Sequence, residues 1–263
     1  DTLAALGALA SAHAARIRTL RPIPVVAVSG AVGKTTTKEL LATAMTAAFG
    51  PTLATPGNLN NLVGAPLTLL GLTAAHRAAV IECGSNAPGE IARIAAMIAP
   101  DVALCTNADA AHTALLGSIQ AVAEEEGAVF GYARRAVVGN VDEPLSRAQM
   151  LRAPEGVAWW LFGEAPEANL QVRSRKLRPD GRTDVLLSLD TTRCRGRATM
   201  TVRTPLLGAS AAINLCAAVT TLLAAGADPA TLSVVGEALG NVTAVPGRLN
   251  PREVDGALWI DDT

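Results

Sequence analysis

The sequence predicts an α/β protein: a mostly parallel sheet flanked by helices, containing a P-loop-type turn and carrying a smaller antiparallel β insertion. Three observations lead there. Short β-branched runs alternate with Ala-rich helical runs up to about residue 142, as βα units do. The strand candidates, residues 24–29, 78–82, 102–106 and 136–139, are almost continuously apolar, which suits strands covered by helices on both faces. The first of them runs directly into a Gly-containing turn and then a helix, in the order PVVAVSGAVGKTTTKE.

The helices between these strands are expected over residues 34–48, 89–98 and 118–132, the second entered through Pro88, a good first-turn residue. Residues 157–203 change texture to alternating segments such as QVRSRKLR, TDVLLSLD and RATMTVR, with a turn at residues 179–182, so an antiparallel subregion is expected at about 157–203. Helical patterns return at 209–225 and 229–239. The charge-free stretch 204–227 raises the question of a membrane span, but its Ala, Ser and Thr content and Asn214 favour a buried helix.

Composition narrows the functional classes. The 263 residues carry 22 Lys plus Arg against 23 Asp plus Glu, a net charge of -1, so no overall field draws the chain to nucleic acid or to an acidic membrane. Seven scattered aromatics do not make a stacking surface for single strands. The four cysteines show no C-x-x-C spacing and no apolar leader precedes the first helical segment, which leads us to expect a reducing cytoplasm and no structural zinc.

The strongest local signal is the turn in GAVGKTTTKE. Gly30 and Gly33 allow a tight turn whose N–H groups, with those of Ala31 and Val32, face a phosphate, and the N-terminus of the following helix adds partial positive charge. Lys34 is expected on the β and γ phosphates, the Thr35 hydroxyl on Mg²⁺, and Thr36 in the same cradle. Val28 stands where the full G-x-x-x-x-G-K-[ST] pattern has its first glycine. Nineteen of the 22 basic residues are Arg, yet two of the three lysines, Lys34 and Lys38, fall in this segment. A chain that otherwise chooses Arg uses Lys here.

With GAVGKTTTKE stand ATPGNLNNLVGAPLTLL at residues 54–70, VIECGSNAPGEI at 80–91, DVALCTNADAAH at 101–112, and PGRL with IDD near the end. On these segments the chain resembles the Mur ligase family over nearly its whole length, nearest to the branch that joins D-alanyl-D-alanine to UDP-N-acetylmuramoyl-tripeptide. The resemblance implies an ATP- and Mg²⁺-dependent, ADP-forming amide ligase whose partners are small molecules, a UDP-sugar peptide and a dipeptide. It also implies a central ATP-binding domain over residues 1–246, the start of a C-terminal Rossmann-like domain at 247–263, and a UDP-binding domain before Asp1. Two alternatives stay open: a Mur-type ligase for another carboxylate, such as a folate or an amino-acid polymer, and a nucleotide-binding module without ligase chemistry.

Residue by residue, the resemblance implies that Lys34, Glu82 and His112 are catalytic, with Glu82 and His112 metal ligands beside Thr35. Asn58, Asn60, Asn61, Ser85 and Asn86 match substrate-facing loops, although Asn and Gly in turns are also ordinary turn chemistry. Asn214 matches an adenine-side residue, Arg248 a phosphate contact and Asp262 a ribose-side acid. His13 and His76 lack such neighbours and read as surface histidines.

Three positions depart from the family pattern. Ser210 and Ala211 replace a His-Asn pair before Asn214, and Ala87 replaces a histidine after Asn86. The lysine that the family carbamylates to bind a second Mg²⁺ falls near Glu126, in AEEEGAVF. A glutamate presents the same carboxylate on a side chain shorter by about 3 to 4 Å. Glu126 is therefore read either as a partial replacement on the metal or, with Glu124 and Glu125, as a solvated helix face.

Overall fold

The computed structural model describes residues 1–109, 116–189, 198–243, 250–254 and 257–261, the last two segments as backbone. A nine-stranded sheet forms its centre. The strands are β1 (Val25–Ser29), β2 (Thr52–Ala54), β3 (Ala78–Glu82), β4 (Val102–Cys105), β5 (Ala136–Asn140), β6 (Ala158–Gly163), β7 (Leu170–Leu177), β8 (Thr183–Leu189) and β9 (Ala198–Thr204), in the order β2-β3-β1-β4-β5-β6-β7-β8-β9. Pairing is parallel from β2 to β7 and antiparallel for β7–β8–β9. A separate antiparallel pair joins β10 (Asn250–Val254) to β11 (Ala257–Asp261).

Eight helices are described: α1 (Thr2–Leu20), α2 (Lys34–Phe49), α3 (Gly64–Leu70), α4 (Glu90–Ile98), α5 (Ile119–Glu126), α6 (Pro144–Gln149), α7 (Gly208–Ala224) and α8 (Leu232–Gly240). Side chains alternate across a strand, and the core divides accordingly. Val26, Val28, Val80, Val102 and Leu104 pack with α2, α7 and α8 on one face. Val25, Ala27, Ile81, Ala103 and Val137 pack with α1, α3 and α4 on the other. Asp101 ties α1 to this base: both its carboxylate oxygens accept from Arg18 Nη2 at 2.8 Å, and Oδ2 also accepts the N–H of Val25 at 2.9 Å.

The expected strands and helices are present, with ends shifted by up to three residues: the last helix starts at Leu232, after a 3₁₀ turn at Pro229–Thr231. The expected helix at 118–132 stops at Glu126 and continues as a tighter 3₁₀ coil, Gly127–Tyr132, that buries Val129 and Phe130. The antiparallel region is smaller than the change of texture at residue 157 indicates. β6 belongs to the parallel sheet, because Trp160 and Phe162 pack on one face and Trp159 and Leu161 on the other, the two-sided cover of a central strand. Alternation begins with β7 and is cleanest in β8, where every second residue is buried. The stretch 204–227 holds α7, thirteen of whose residues are buried against the sheet, and no helix among the described residues is long and apolar enough to cross a membrane.

The chain leaves β1 toward β2 and β3 on one side and later returns to place β4 on the other. The strand order therefore reverses at the C-terminal end of β1, the position where open α/β sheets form a crevice for ligands.

Candidate nucleotide and metal site

The turn after β1 lies in that crevice. Gly30 has φ +131° and Gly33 φ +82°, a half of the Ramachandran map where a side chain is strained. A Cβ on Gly33 would also stand 2.6 Å from Asn214 Oδ1, so Asn214 on α7 packs against the turn. The turn is held from β4: Ala31 N–H donates to the Asn107 carbonyl at 3.0 Å, Val32 N–H to Asn107 Oδ1 at 2.9 Å, and the Val32 carbonyl accepts from Thr106 Oγ1 at 2.7 Å. With Gly30 N–H bonded to Glu126 Oε2 at 2.8 Å, the N–H groups of residues 30–32 are committed to the protein. The cradle is left to the start of α2, whose first N–H groups have no acceptor within the helix.

Glu82 ends β3 beside it. Its Oε1 accepts from the Thr35 hydroxyl at 3.2 Å and from Asn60 Nδ2 at 2.7 Å. Its Oε2 is buried without a hydrogen-bond partner. An unpartnered buried carboxylate oxygen is costly, and an oxygen-seeking divalent cation shared with Thr35 relieves that cost. The residues present thus fit Mg²⁺. His112, the other ligand implied by the resemblance, lies outside the described residues, as do Arg248 and Asp262. Among the described residues no group of three His, Cys, Asp or Glu converges on one point.

Lys34 is folded back. Its ammonium donates to the Gly30 carbonyl and, at 3.3 Å, to the Ala31 carbonyl, and lies 3.7 Å from Glu126 Oε1. Reaching a phosphate requires it to turn outward. The acidic run of α5 divides three ways. Glu124 is exposed and accepts from Gln120. Glu125 is buried and accepts the N–H groups of Gly89 and Ile91 at the entry to α4. Glu126, 2% exposed, accepts from Ser29 Oγ at 2.5 Å and from Gly30 N–H. The solvated-face reading thus holds for Glu124 alone, because the other two carboxylates satisfy donors that burial would otherwise orphan.

The asparagine loop also separates by residue. Asn60 reaches Glu82, whereas Asn61 Oδ1 accepts the N–H groups of Val63 and Gly64 at the entry to α3. Asn58 is exposed. Ser85 bonds to the Ala87 carbonyl, and the Asn86 N–H to Glu90, in an exposed turn. His13 is half-buried and meets the Leu72 carbonyl at 2.7 Å, bridging α1 to the end of α3, so it is a packing residue and not a surface one. His76 accepts the N–H of Thr73 in a local turn. Three contributors had no assigned role in the sequence reading: Ser29, Thr106 and Asn107. Polar residues directly at strand ends flanking the reversal point are the signal that marks them.

Buried beneath the turn, the Cys105 thiol is pushed up to about 12, first by loss of solvation and then by the charge of Glu126. Burial raises Cys83 as well. Both are structural thiols.

The model of the Mur ligase middle domain matches residues 28–222. Over its whole length the chain is 34% identical to the UDP-N-acetylmuramoyl-tripeptide–D-alanyl-D-alanine ligase of Escherichia coli K12 and 33% identical to that of Haemophilus influenzae, covering 56% and 55% of those proteins. It thus spans about half the length of these curated relatives. The structure superposes on that of MurF from Acinetobacter baumannii with a TM-score of 0.88 at 29% identity, covering all of this chain and 55% of the other. The turn at Gly30–Lys34, the strand-end glutamate and the family match agree, and the chain belongs to the Mur ligase family, of which it carries the middle domain.

Proposed function

We propose that this domain binds Mg²⁺-ATP between the start of α2 and the end of β3, and serves an ADP-forming amide ligase that joins D-alanyl-D-alanine to a UDP-N-acetylmuramoyl-tripeptide. The observation that carries the reading is the Glu82 carboxylate, held by Thr35 and Asn60 through one oxygen while the other is buried with no partner. The relatives that match over the whole of this chain, and that it covers to about half their own length, are named for that ligation.

The chain's own residues divide the work. N–H groups from Gly33 to Thr36 receive phosphate oxygens, and Lys34 turns from the Gly30 carbonyl to neutralise the β and γ phosphates. Thr35 and Glu82, with His112, hold Mg²⁺, which supplies charge compensation as the γ-phosphoryl group moves. Glu126 keeps a negative charge fixed beside Lys34, and any metal role falls to Oε1, since Oε2 is committed to Ser29 and Gly30. Asn214, which packs on Gly33, is assigned to the adenine side, and Arg248 and Asp262, outside the described residues, are assigned to the phosphates and the ribose on the family resemblance alone. Asn58, Asn60, Asn61, Ser85 and Asn86 line the side from which the acceptor enters. In the reaction an acceptor carboxylate oxygen attacks the γ-phosphorus and ADP leaves. The amine then attacks the activated carbonyl and orthophosphate leaves. UDP-sugar and nucleotide-closing domains on either side of this one complete the enzyme.

The test is product analysis. A polypeptide that carries this domain together with its flanking domains, incubated with ATP, Mg²⁺, the UDP-tripeptide and D-alanyl-D-alanine, is expected to form ADP, orthophosphate and ligated product in equal amounts. ATP binding without any product from this pair would leave the module without this ligase chemistry.

A further inference from the structure

Lys38 lies one helical turn beyond Lys34 and is completely buried, 0% exposed. An ammonium has three donors and no acceptor, and each donor here has an oxygen. The Thr55 carbonyl is at 2.7 Å, the Gly57 carbonyl at 3.2 Å and Glu39 Oε1 at 2.6 Å. Burying a charge is unfavourable unless it is fully paired, and an apolar side chain of equal length would fill the same volume without that cost. What the ammonium adds is a grip on two carbonyls of a loop that has no regular secondary structure.

That loop passes the grip on to Glu82. Thr55 Oγ1 accepts the N–H of Glu82 at 2.9 Å, the Asn60 carbonyl accepts the N–H of Gly84 at 2.8 Å, and Asn60 Nδ2 donates to Glu82 Oε1. The helix that opens at the phosphate turn is thus tied, through one buried lysine, to the segment that orients the carboxylate across the crevice.

We propose that Lys38 is a positioning residue: it clamps residues 55–57 to α2 so that Asn60 holds one oxygen of Glu82 and leaves Oε2 to a divalent cation. The cation half of this rests on the nucleotide reading above, whereas the clamp stands on the geometry alone.

One test uses the unaltered chain, whose only lysines are Lys34, Lys38 and Lys176. Acetylation by an N-hydroxysuccinimide ester is followed at each lysine by mass spectrometry, with the exposed Lys176 as control. If the clamp favours the cation, the cation closes the clamp by the same factor. Lys38 is expected to react about fivefold more slowly with Mg²⁺-ADP than with ADP in chelator, Lys176 being unchanged. Equal Lys38 rates overturn the proposal.

The second test is Lys38→Met. Its metal-free ADP affinity is expected to stay within about twofold of wild type, while the gain in ADP affinity on adding Mg²⁺ falls by about tenfold. Amide exchange in residues 55–60 rises by about tenfold or more while that of α2 stays unchanged. An intact Mg²⁺ gain or unchanged exchange in 55–60 overturns the proposal. A wild-type chain that binds no nucleotide contradicts the nucleotide reading and removes the cation half, and the exchange comparison still decides the clamp.

Discussion

Glu126 Oε1 lies 3.7 Å from the Lys34 ammonium, while Oε2 of the same carboxylate holds the Ser29 hydroxyl and the Gly30 N–H. One buried group thereby fixes both the turn's backbone and the resting position of its cation. Breaking a buried pair by removing one partner costs about 3 to 5 kcal/mol, so Glu126→Ala is expected to lower unfolding free energy by about 3 kcal/mol, read by denaturant titration. Glu126→Gln keeps an acceptor for Ser29 and Gly30 and removes the charge. It is expected to raise the Mg²⁺ concentration for half-maximal nucleotide binding by about threefold or more, a shift on the order of 1 kcal/mol. Unchanged Mg²⁺ dependence would confine Glu126 to holding the turn.

Gly33→Ala tests the turn itself. The φ of +82° strains any side chain, and the new Cβ meets the Asn214 amide. The expected cost is about 1 to 3 kcal/mol, together with loss of nucleotide binding, because Asn214 must move off the turn. Removing the amide in Gly33→Ala/Asn214→Ala is expected to recover part of the stability and none of the strain. Normal binding by Gly33→Ala would show that the turn does not approach a ligand.

The neighbouring carboxylate separates fold from site. Glu125 receives the N–H groups of Gly89 and Ile91, the unpaired start of α4. Glu125→Ala is expected to cost about 1 to 2 kcal/mol and to leave nucleotide affinity unchanged in a calorimetric titration. Altered affinity would place Glu125 in the site.

The sheet was legible because β1 and β3 are runs of four apolar residues closed by one polar residue, Ser29 and Glu82. The Gly30–Thr36 turn was legible because few sequences outside phosphate loops set Gly, Lys and Thr between such a strand and a helix. The acidic run was not, since three adjacent glutamates on a short helix look alike in one dimension and differ only in what folds over them. Lys38 could be noticed as a rare lysine but not placed, because its carbonyl partners come from a loop 17 and 19 residues away. The parallel pairing of β6 was hidden for a related reason: Trp159 and Trp160 mark cover on both faces only once both helical layers are known.

Buried thiols set an alkaline limit. Cys105 and Cys216 are both pushed up to about 12 from an ordinary value of 9.0, chiefly by burial. A raised folded-state value means that the stability is complete below the unfolded value. It is lost as pH rises above that value, where the unfolded chain releases protons that the folded chain keeps. Between about pH 9 and 11 unfolding free energy is expected to fall by up to about 1.4 kcal/mol per pH unit per thiol. Urea titrations across that range check this, and Cys105→Ala is expected to flatten the slope by one thiol's share. An equally steep slope in Cys105→Ala would contradict the assignment.

The most direct test of the account is calorimetric titration of this chain and its Lys34→Ala variant with ATP in Mg²⁺, beside their melting curves. Lys34 opens α2 beside the turn, with its ammonium 3.7 Å from Glu126 Oε1, and belongs to neither apolar core cluster. Binding by the wild type is expected, with a loss of about tenfold or more in the variant, as removal of a charged phosphate contact should give, and a lower melting temperature with the cooperative transition kept, because the buried Glu126 carboxylate loses its cationic partner. Equal affinity in a well-folded Lys34→Ala protein would contradict the account.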